Sequence, residues 1–325
     1  MTQGDATQGV ATQGVAKSGS RLERILDSGA FAVTAELGPP KGTDLEVVRA
    51  KMGLLRGVCD AVNITDNQTA IVRLSSVAAS ALLCQDGLEP VMQMTCRDRN
   101  RLAIQADVFG AVALGVRNLL CLTGDHQCFG NHPAAKNVYD LDSVQLIRMV
   151  RRLRDERVTE GGEEVEGEVP MFIGGAANPF GDPFEMRVIR LAKKVAAGVD
   201  FIQTQCIFDM PRFREWMHRV VDLGLHEKVH ILAGVMPLKS AGAARYINNN
   251  VAGISVPDAV IKRMSGAGRG QKARDEGMRM CAEMIQEVRE IEGVHGAHIM
   301  AVEWEEAIRP ITEMAGVLPR PAVAN

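Results

Sequence analysis

The chain has 325 residues, of which 46% are hydrophobic, and a formal charge of −3 at pH 7. Such a length suits one large domain or two smaller ones, and the near-neutral charge gives no basis for a nucleic-acid or membrane-attracted surface. No apolar stretch reaches membrane-spanning length and the N-terminus lacks the apolar core of a secretory signal, so no membrane insertion and a cytoplasmic location are expected.

In chain order, the first segment is TQGDATQGVATQGVA (2–16), in which Thr-Gln-Gly recurs. A polar, Gly-rich repeat of this kind cannot build a core, and it predicts a disordered tail over 1–19. Folded structure is expected over 20–320, starting with a short amphipathic helix in SRLERILDSG that stops at Gly29. Residues 321–325 are left as a C-terminal tail. Between these limits lie eight short apolar runs: FAVTAEL (31–37), AVNITD (61–66), VMQMTC (91–96), NLLCLTGD (118–125), MFIGGAA (171–177), FIQTQCIF (201–208), VHILAGVM (229–236) and AHIMAVEW (297–304). The stretches between them carry helical spacing, with predicted helices over 44–56, 69–83, 98–114, 143–157, 182–197, 212–222, 273–291 and 305–315. Two short helices broken near Pro257 are expected between Ser240 and Arg263. Strand and helix in alternation give a parallel sheet. Eight such units predict an α/β fold, a single-domain (β/α)8 TIM barrel whose site lies at the C-terminal ends of its strands.

Period-two alternation puts Thr34 with Glu36, Asn63 with Thr65, Gln93 with Thr95, Cys121 with Thr123 and Asp125, and Gln203 with Gln205. These polar faces are predicted to point into the barrel. Amides, hydroxyls and carboxylates there need partners; a polar ligand at the mouth supplies them, and a self-satisfied polar interior is the plain alternative. The fourth run opens into a long polar loop, DHQCFGNHPAAKNVYD (125–140). A loop this long leaving the C-terminal end of a strand points to function. The acidic stretch over 160–169 precedes a strand and is expected at the opposite face, in solvent. SGAGRGQ (265–271) follows no strand and fails the context test for a dinucleotide loop.

The seven cysteines include no C-x-x-C pair. Their odd number and spacing argue against a disulfide framework and against a cysteine-rich zinc or iron–sulfur site built by this chain alone, so no metal is expected. Cys128, in the polar loop, is the cysteine expected to be exposed. Glu36 is the carboxylate of interest. It ends the first strand, before Gly38-Pro39-Pro40, where partial desolvation would raise its pKa and suit it to general-acid work; the alternative is a structural carboxylate paired with an inward base. Asp125 ends a Thr-Gly-Asp turn, where it either reaches a ligand or caps the loop. Gln203 and Gln205 offer amides two residues apart, suited to a flat heterocycle such as a pterin or flavin. His126 and His132 share the long loop without metal-ligand spacing. Asn178, after the fifth strand, either binds ligand or shapes the turn.

TAELGPPKGTD, VNITDNQTA, MTCRDRNR, LTGDH, AKKVAAG and FIQTQCIFD, in this order, resemble the methylenetetrahydrofolate reductase family over about residues 21–320. The C-terminal half, with LHEKVHILAGVMPLKS and GAHIMAVEW, is most similar to the short, acetogen-like form. The resemblance implies a flavin-bearing barrel, with FAD or FMN, that interconverts 5,10-methylenetetrahydrofolate and 5-methyltetrahydrofolate by hydride transfer, with NAD(P)H a possible donor. It implies that Glu36 protonates the folate nitrogen to open the ring, that Asp125 stabilises the cationic intermediate, and that Gln205, with Gln203 beside it, contacts the pterin. Thr65, Gln93, Thr123, Gly124, Asp125, Tyr139, Asn178 and Lys194 fall at or beside flavin-contact positions, Lys194 as a point charge for the flavin phosphate.

The sequence departs from the common bacterial form. Thr123 stands for an Arg, Gln93 for a His, Asn178 for a His, Ala241 for an aromatic and Arg187 for an acid. These changes leave the flavin type and direct NADH oxidation open. They also admit a zinc- and iron–sulfur-bearing electron-transfer partner subunit. The oligomeric state is open too, a homo-oligomer included. A pterin-dependent methyltransferase barrel and a non-catalytic folate-binding subunit of a one-carbon complex are the competing readings.

Overall fold

The structure is a computed structural model that describes residues 16–251 and 253–323; the repeat segment up to residue 15 lies outside the described residues. Eight parallel strands close in sequence order into a barrel. They are β1 (Ala32–Leu37), β2 (Ala61–Ile64), β3 (Pro90–Thr95), β4 (Asn118–Leu122), β5 (Phe172–Ala177), β6 (Phe201–Cys206), β7 (His230–Val235) and β8 (Val294–Ile299). The helices are α1 (Arg21–Asp27), α2 (Leu45–Leu55), α3 (Ser76–Gln85), α4 (Arg101–Ala113), α5 (Ser143–Arg151), α6 (Glu185–Ala197), α7 (Met210–Asp222), α8 (Ala241–Asn250), α9 (Asp258–Gly266), α10 (Gln271–Arg289) and α11 (Ile308–Met314). The expected (β/α)8 TIM barrel is therefore the observed fold.

The helix starts follow side-chain chemistry. Asp44, Asn100 and Asp142 each accept a backbone N–H at the head of α2, α4 and α5, the N-cap role that short polar side chains fill. Gly198, with φ of +99°, ends α6 in a left-handed turn that a Cβ would strain. The helix start furthest from expectation is that of α3. The segment predicted to be helical from Thr69 is a short 3-10 turn over Gln68–Ala70, and α3 starts at Ser76. Asn67, Thr69 and Ala70 all have positive φ, so no α-helix can run through them.

α1 plugs the bottom of the barrel. Its Leu22, Ile25 and Leu26 pack on Ala32, Ala61, Val91, Leu120, Phe172, Phe201 and Leu232, the lowest inward side chains of seven strands. Gly174 makes room there, since a Cβ would sit 2.3 Å from the Phe201 ring. The ends of the chain fasten this plug. The backbone amides of Lys17, Ser18 and Gly19 donate to the Glu23 carboxylate, so these residues, assigned to the tail from the sequence, are fastened to α1. Arg320 and Arg21 share the buried Asp60 carboxylate, and Arg21 also donates to the Pro321 carbonyl.

Two strand predictions need correction. β8 starts three residues earlier than the apolar run suggested and ends at Ile299, so Met300–Trp304 belong to the following loop. In β4 the faces are reversed. Leu120 belongs to the interior cluster, whereas Cys121 packs outward among Ile147, Ile173 and Met92. Thr123 and Asp125 lie beyond the last ladder residue, Leu122, where alternation no longer applies.

Candidate active site

Above the plug, the barrel interior becomes polar in a definite order. Asn63 and Gln203 face each other across the barrel and exchange amide hydrogen bonds: Asn63 Nδ2 donates to Gln203 Oε1 (2.6 Å), and Gln203 Nε2 donates to Asn63 Oδ1 (3.0 Å). Gln203 Nε2 also reaches Thr34 Oγ1 (3.2 Å), and that hydroxyl sits 2.9 Å from His298 Nδ1. All four side chains are buried. Burial alone drives the His298 imidazole down to about 3, so it is neutral. This layer is the self-satisfied polar interior that the sequence left as an alternative. Gln203, expected to bind substrate, spends its amide on the protein and forms the floor of the site.

A cavity of about 450 Å³ opens on this floor at the C-terminal mouth of the barrel, within the range of small-molecule sites. Glu36, Gln93, Thr123, Asn178, Lys194, Gln203 and Gln205 all line it. Thr65, Gly124, Asp125 and Tyr139 do not. The Thr65 hydroxyl is sealed from solvent without a hydrogen-bond partner. Asp125 stands exposed at the rim, its carbonyl held by buried Arg97. Tyr139 donates to the Gly124 carbonyl at 3.3 Å, which ties the two ends of the long loop together. Asn178 Oδ1 accepts the Phe180 amide at 2.9 Å and shapes the turn after β5.

Glu36 is buried at the cavity wall. Burial, and secondarily the nearby Glu305 carboxylate, push its pKa up to about 7; Gln68, Arg73 and Lys51 oppose the shift. Gln68 Nε2 lies 3.4 Å from Glu36 Oε1. Arg97, adjacent to the third strand in sequence, does not face Glu36. It pairs with Asp98 and donates to the Asp125 and Asn67 carbonyls. A carboxyl poised near neutrality can hold a proton for transfer and also release it.

The opposite wall is cationic. Arg187, Arg190 and Lys194 follow one another at three- and four-residue spacing along α6, and all line the cavity. Lys194 donates to the Ala176 carbonyl. Burial, aided by Arg190, lowers its ammonium to about 8. Between the two walls, Gln93 is buried and hydrogen-bonds to no described residue, and Gln205 commits its Oε1 to the Cys206 amide (3.1 Å) while its NH₂ group makes no bond to a described residue. The site thus joins an acid, two amides with open valences, and a row of cations. It can seat a heterocycle bearing donors and acceptors, with an anionic arm along α6.

Sequence reasoning missed His298, Gln68, Glu305 and Arg190. His298 carried an inward-parity signal once β8 is placed correctly. Glu305 and Gln68 approach Glu36 only through tertiary folding.

Fold and site together define a (β/α)8 barrel protein with a polar, acid-bearing ligand cavity at its mouth. The chain belongs to the methylenetetrahydrofolate reductase family, whose model matches residues 21–316. It is 25% identical over 317 residues to methylenetetrahydrofolate reductase 2 of Schizosaccharomyces pombe, covering 92% of this chain and 47% of that protein. It is 21% identical over 296 residues to 5,10-methylenetetrahydrofolate reductase of Pectobacterium carotovorum, covering 90% of this chain and 92% of that one. The chain thus spans about half the length of the yeast and nematode relatives it matches and nearly all of the bacterial one. In fold it is similar to a Clostridium thermocellum protein that binds two copies of 5-methyl-5,6,7,8-tetrahydrofolic acid. That likeness has a TM-score of 0.60 at 13% identity and covers 92% of this chain and 100% of that one.

Proposed function

We propose that the protein is a 5,10-methylenetetrahydrofolate reductase, interconverting that folate and 5-methyltetrahydrofolate, with Glu36 as general acid. The observation that carries the reading is a buried carboxyl with a pKa near 7 on the wall of the cavity, in a chain of this family. Protonated Glu36 delivers its proton to the folate nitrogen that must leave the one-carbon unit, and as carboxylate it takes the proton back in the reverse direction. Gln205 turns its open amide to the pterin edge, and Gln203 holds the floor beneath. Asp125, at the rim, offers negative charge to the cationic one-carbon intermediate.

The residues fit a flavin, FAD or FMN. Gln93 has a buried, open amide for a ring, and the α6 cations suit a phosphate. Thr123, Asn178 and Lys194 line the same cavity. A bound flavin would supply the hydride chemistry. The reductant feeding it is NAD(P)H or a zinc- and iron–sulfur-bearing partner subunit. Among the described residues no group of three or more His, Cys, Asp or Glu is arranged to hold a metal, and no helix is long and apolar enough to cross a membrane.

Anaerobic purification, a visible spectrum and addition of 5-methyltetrahydrofolate test the proposal. The expected result is a flavin spectrum that bleaches on addition. A colourless protein that neither FMN nor FAD reconstitutes would refute the flavin assignment and move the reading to a flavin-free reductase, a methyltransferase barrel or a folate-binding subunit.

A further inference from the structure

The floor of the cavity closes its amide and hydroxyl bonds but leaves one polar atom over. His298, on β8, stands beside Thr34 of β1 in the register of the sheet, and its Nδ1 lies 2.9 Å from the Thr34 hydroxyl. The residue is only 3% exposed, yet it lines the cavity. Its Nε2 makes no bond to a described residue and is not among the polar atoms sealed from solvent. Gly234, its neighbour on β7, brings no polar side chain to that nitrogen. With Nδ1 spent on the floor, Nε2 is the polar atom that the ring turns to the cavity. A polar atom this deep is costly unless a ligand or a water meets it.

The hydrogen-bond chain beneath fixes what Nε2 offers. The two hydrogens of Gln203 Nε2 go to Asn63 Oδ1 and Thr34 Oγ1. The Thr34 hydroxyl therefore accepts from Gln203 and has its own hydrogen to give. Its other partner is His298 Nδ1, which accepts it. A neutral imidazole carries one N–H, so that hydrogen sits on Nε2. We propose that His298 is a further substrate-binding residue, whose Nε2–H donates to an acceptor atom on the pterin of a bound folate. The proposal rests on the folate reading of the cavity. β8 is hydrogen-bonded to β1, and His298 lies one inward position below Glu36 on the neighbouring strand. The α6 cations instead follow β5, on the opposite wall. The donor thus faces the part of the ligand that Glu36 serves, not its anionic arm. A pterin edge carries a ring carbonyl and an unprotonated ring nitrogen, both acceptors. The open NH₂ group of Gln205, on β6, supplies a second donor. Two fixed donors select a ring that presents acceptors to both. The ring is held neutral by burial alone, so His298 orients the pterin and leaves the proton to Glu36.

Full-length protein carrying ¹⁵N-histidine is measured by two-bond ¹H–¹⁵N NMR, which tells the two neutral tautomers apart. The His298 signals are those lost in His298→Gln and in His298→Asn. The free protein is expected to show the Nε2–H form, unchanged from pH 5 to pH 8 because the ring titrates far below. The Nδ1–H form would mean that the floor chain runs the other way, and would overturn the proposal. Anaerobic addition of 5-methyltetrahydrofolate should move the Nε2 signal and keep the tautomer. In equilibrium dialysis, His298→Asn, whose amide reaches only as far as Nδ1, should bind this folate about tenfold more weakly. His298→Gln, whose amide reaches the place of Nε2, should keep most of the affinity. An Nε2 signal that the folate leaves unmoved, or equal affinity in the wild type and His298→Asn, overturns the proposal and leaves the reductase reading standing. Wild-type protein that binds no 5-methyltetrahydrofolate overturns both.

Discussion

Keeping a carboxyl buried and able to ionise near neutrality should destabilise the fold in a measurable, pH-dependent way. Glu36 takes up its proton at about 7 in the folded chain against 4.5 in the ordinary state, chiefly because it is desolvated. Between those two values the folded protein keeps a proton that the unfolded chain has lost, so stability falls as pH rises. Below pH 4.5 both states are protonated and nothing is lost; above 7 the full loss is present. The interval from 4.5 to about 7, at about 1.4 kcal/mol per unit, amounts to roughly 3 kcal/mol. About 2–3 kcal/mol of it falls between pH 5 and pH 8. Glu36→Gln removes this titration while preserving shape and one hydrogen-bonding group. Urea unfolding of both proteins from pH 5 to pH 8 checks it. The variant should gain about 2–3 kcal/mol on the wild type across that range. A stability difference that stays flat with pH would show that Glu36 ionises in the folded protein as it does in water, and the general-acid role would fall with it.

Other outcomes follow from the same geometry. In the proposed reaction, Glu36→Gln should lower folate turnover by about 10²–10⁴-fold, while reduction of the flavin by its donor survives; stopped-flow on each half-reaction separates the two. Gln203→Ala strips partners from buried Asn63 and Thr34, and its urea midpoint should report a loss of about 2–4 kcal/mol. Lys194 loses its charge as pH passes about 8, so FMN retention in equilibrium dialysis should weaken above that pH in the wild type and lose this dependence in Lys194→Met. Cys128 is exposed, whereas Cys59 and Cys96 are pushed up to about 12 by burial. A disulfide reagent should therefore show one fast thiol in the native protein, absent in Cys128→Ser.

The barrel was legible because its determinants are local. Apolar runs of strand length recur between helical stretches, and capping residues such as Asp44 and Asp142 stand where helices start. Glu36 and Gln93 were legible for the same reason, since alternation within a paired strand fixes their direction, and Gln205 reaches the cavity although it sits in the register shift between β6 and β7. The reading failed where pairing ends. Thr123 and Asp125 continue the rhythm of β4 on paper but lie past its last rung at Leu122; Thr123 still lines the cavity, whereas Asp125 stands outside it. β8 was misplaced because VHGAHI is less apolar than the run it shares with the following MAVEW. The helix expected from Thr69 was lost to left-handed backbone at Asn67, Thr69 and Ala70. Glu305 gave no local signal, because its relation to Glu36 exists only once the loop after β8 is folded against α2.

The vertical order of the interior links these successes to the chemistry. Aromatic and aliphatic side chains at the bottom, sealed by α1, supply the burial that stabilises the barrel. The middle layer of Asn63, Gln203, Thr34 and His298 closes its own hydrogen bonds, so polar groups can lie deep inside without a ligand. Because that floor is complete, the open amides above it, on Gln93 and Gln205, are not needed to satisfy the core. An inward polar residue in such a barrel is therefore paired within the protein or left open to the cavity according to its height. Gln203 and Gln205 differ by two positions: the first spends its amide on Asn63 and Thr34, the second leaves its NH₂ group open.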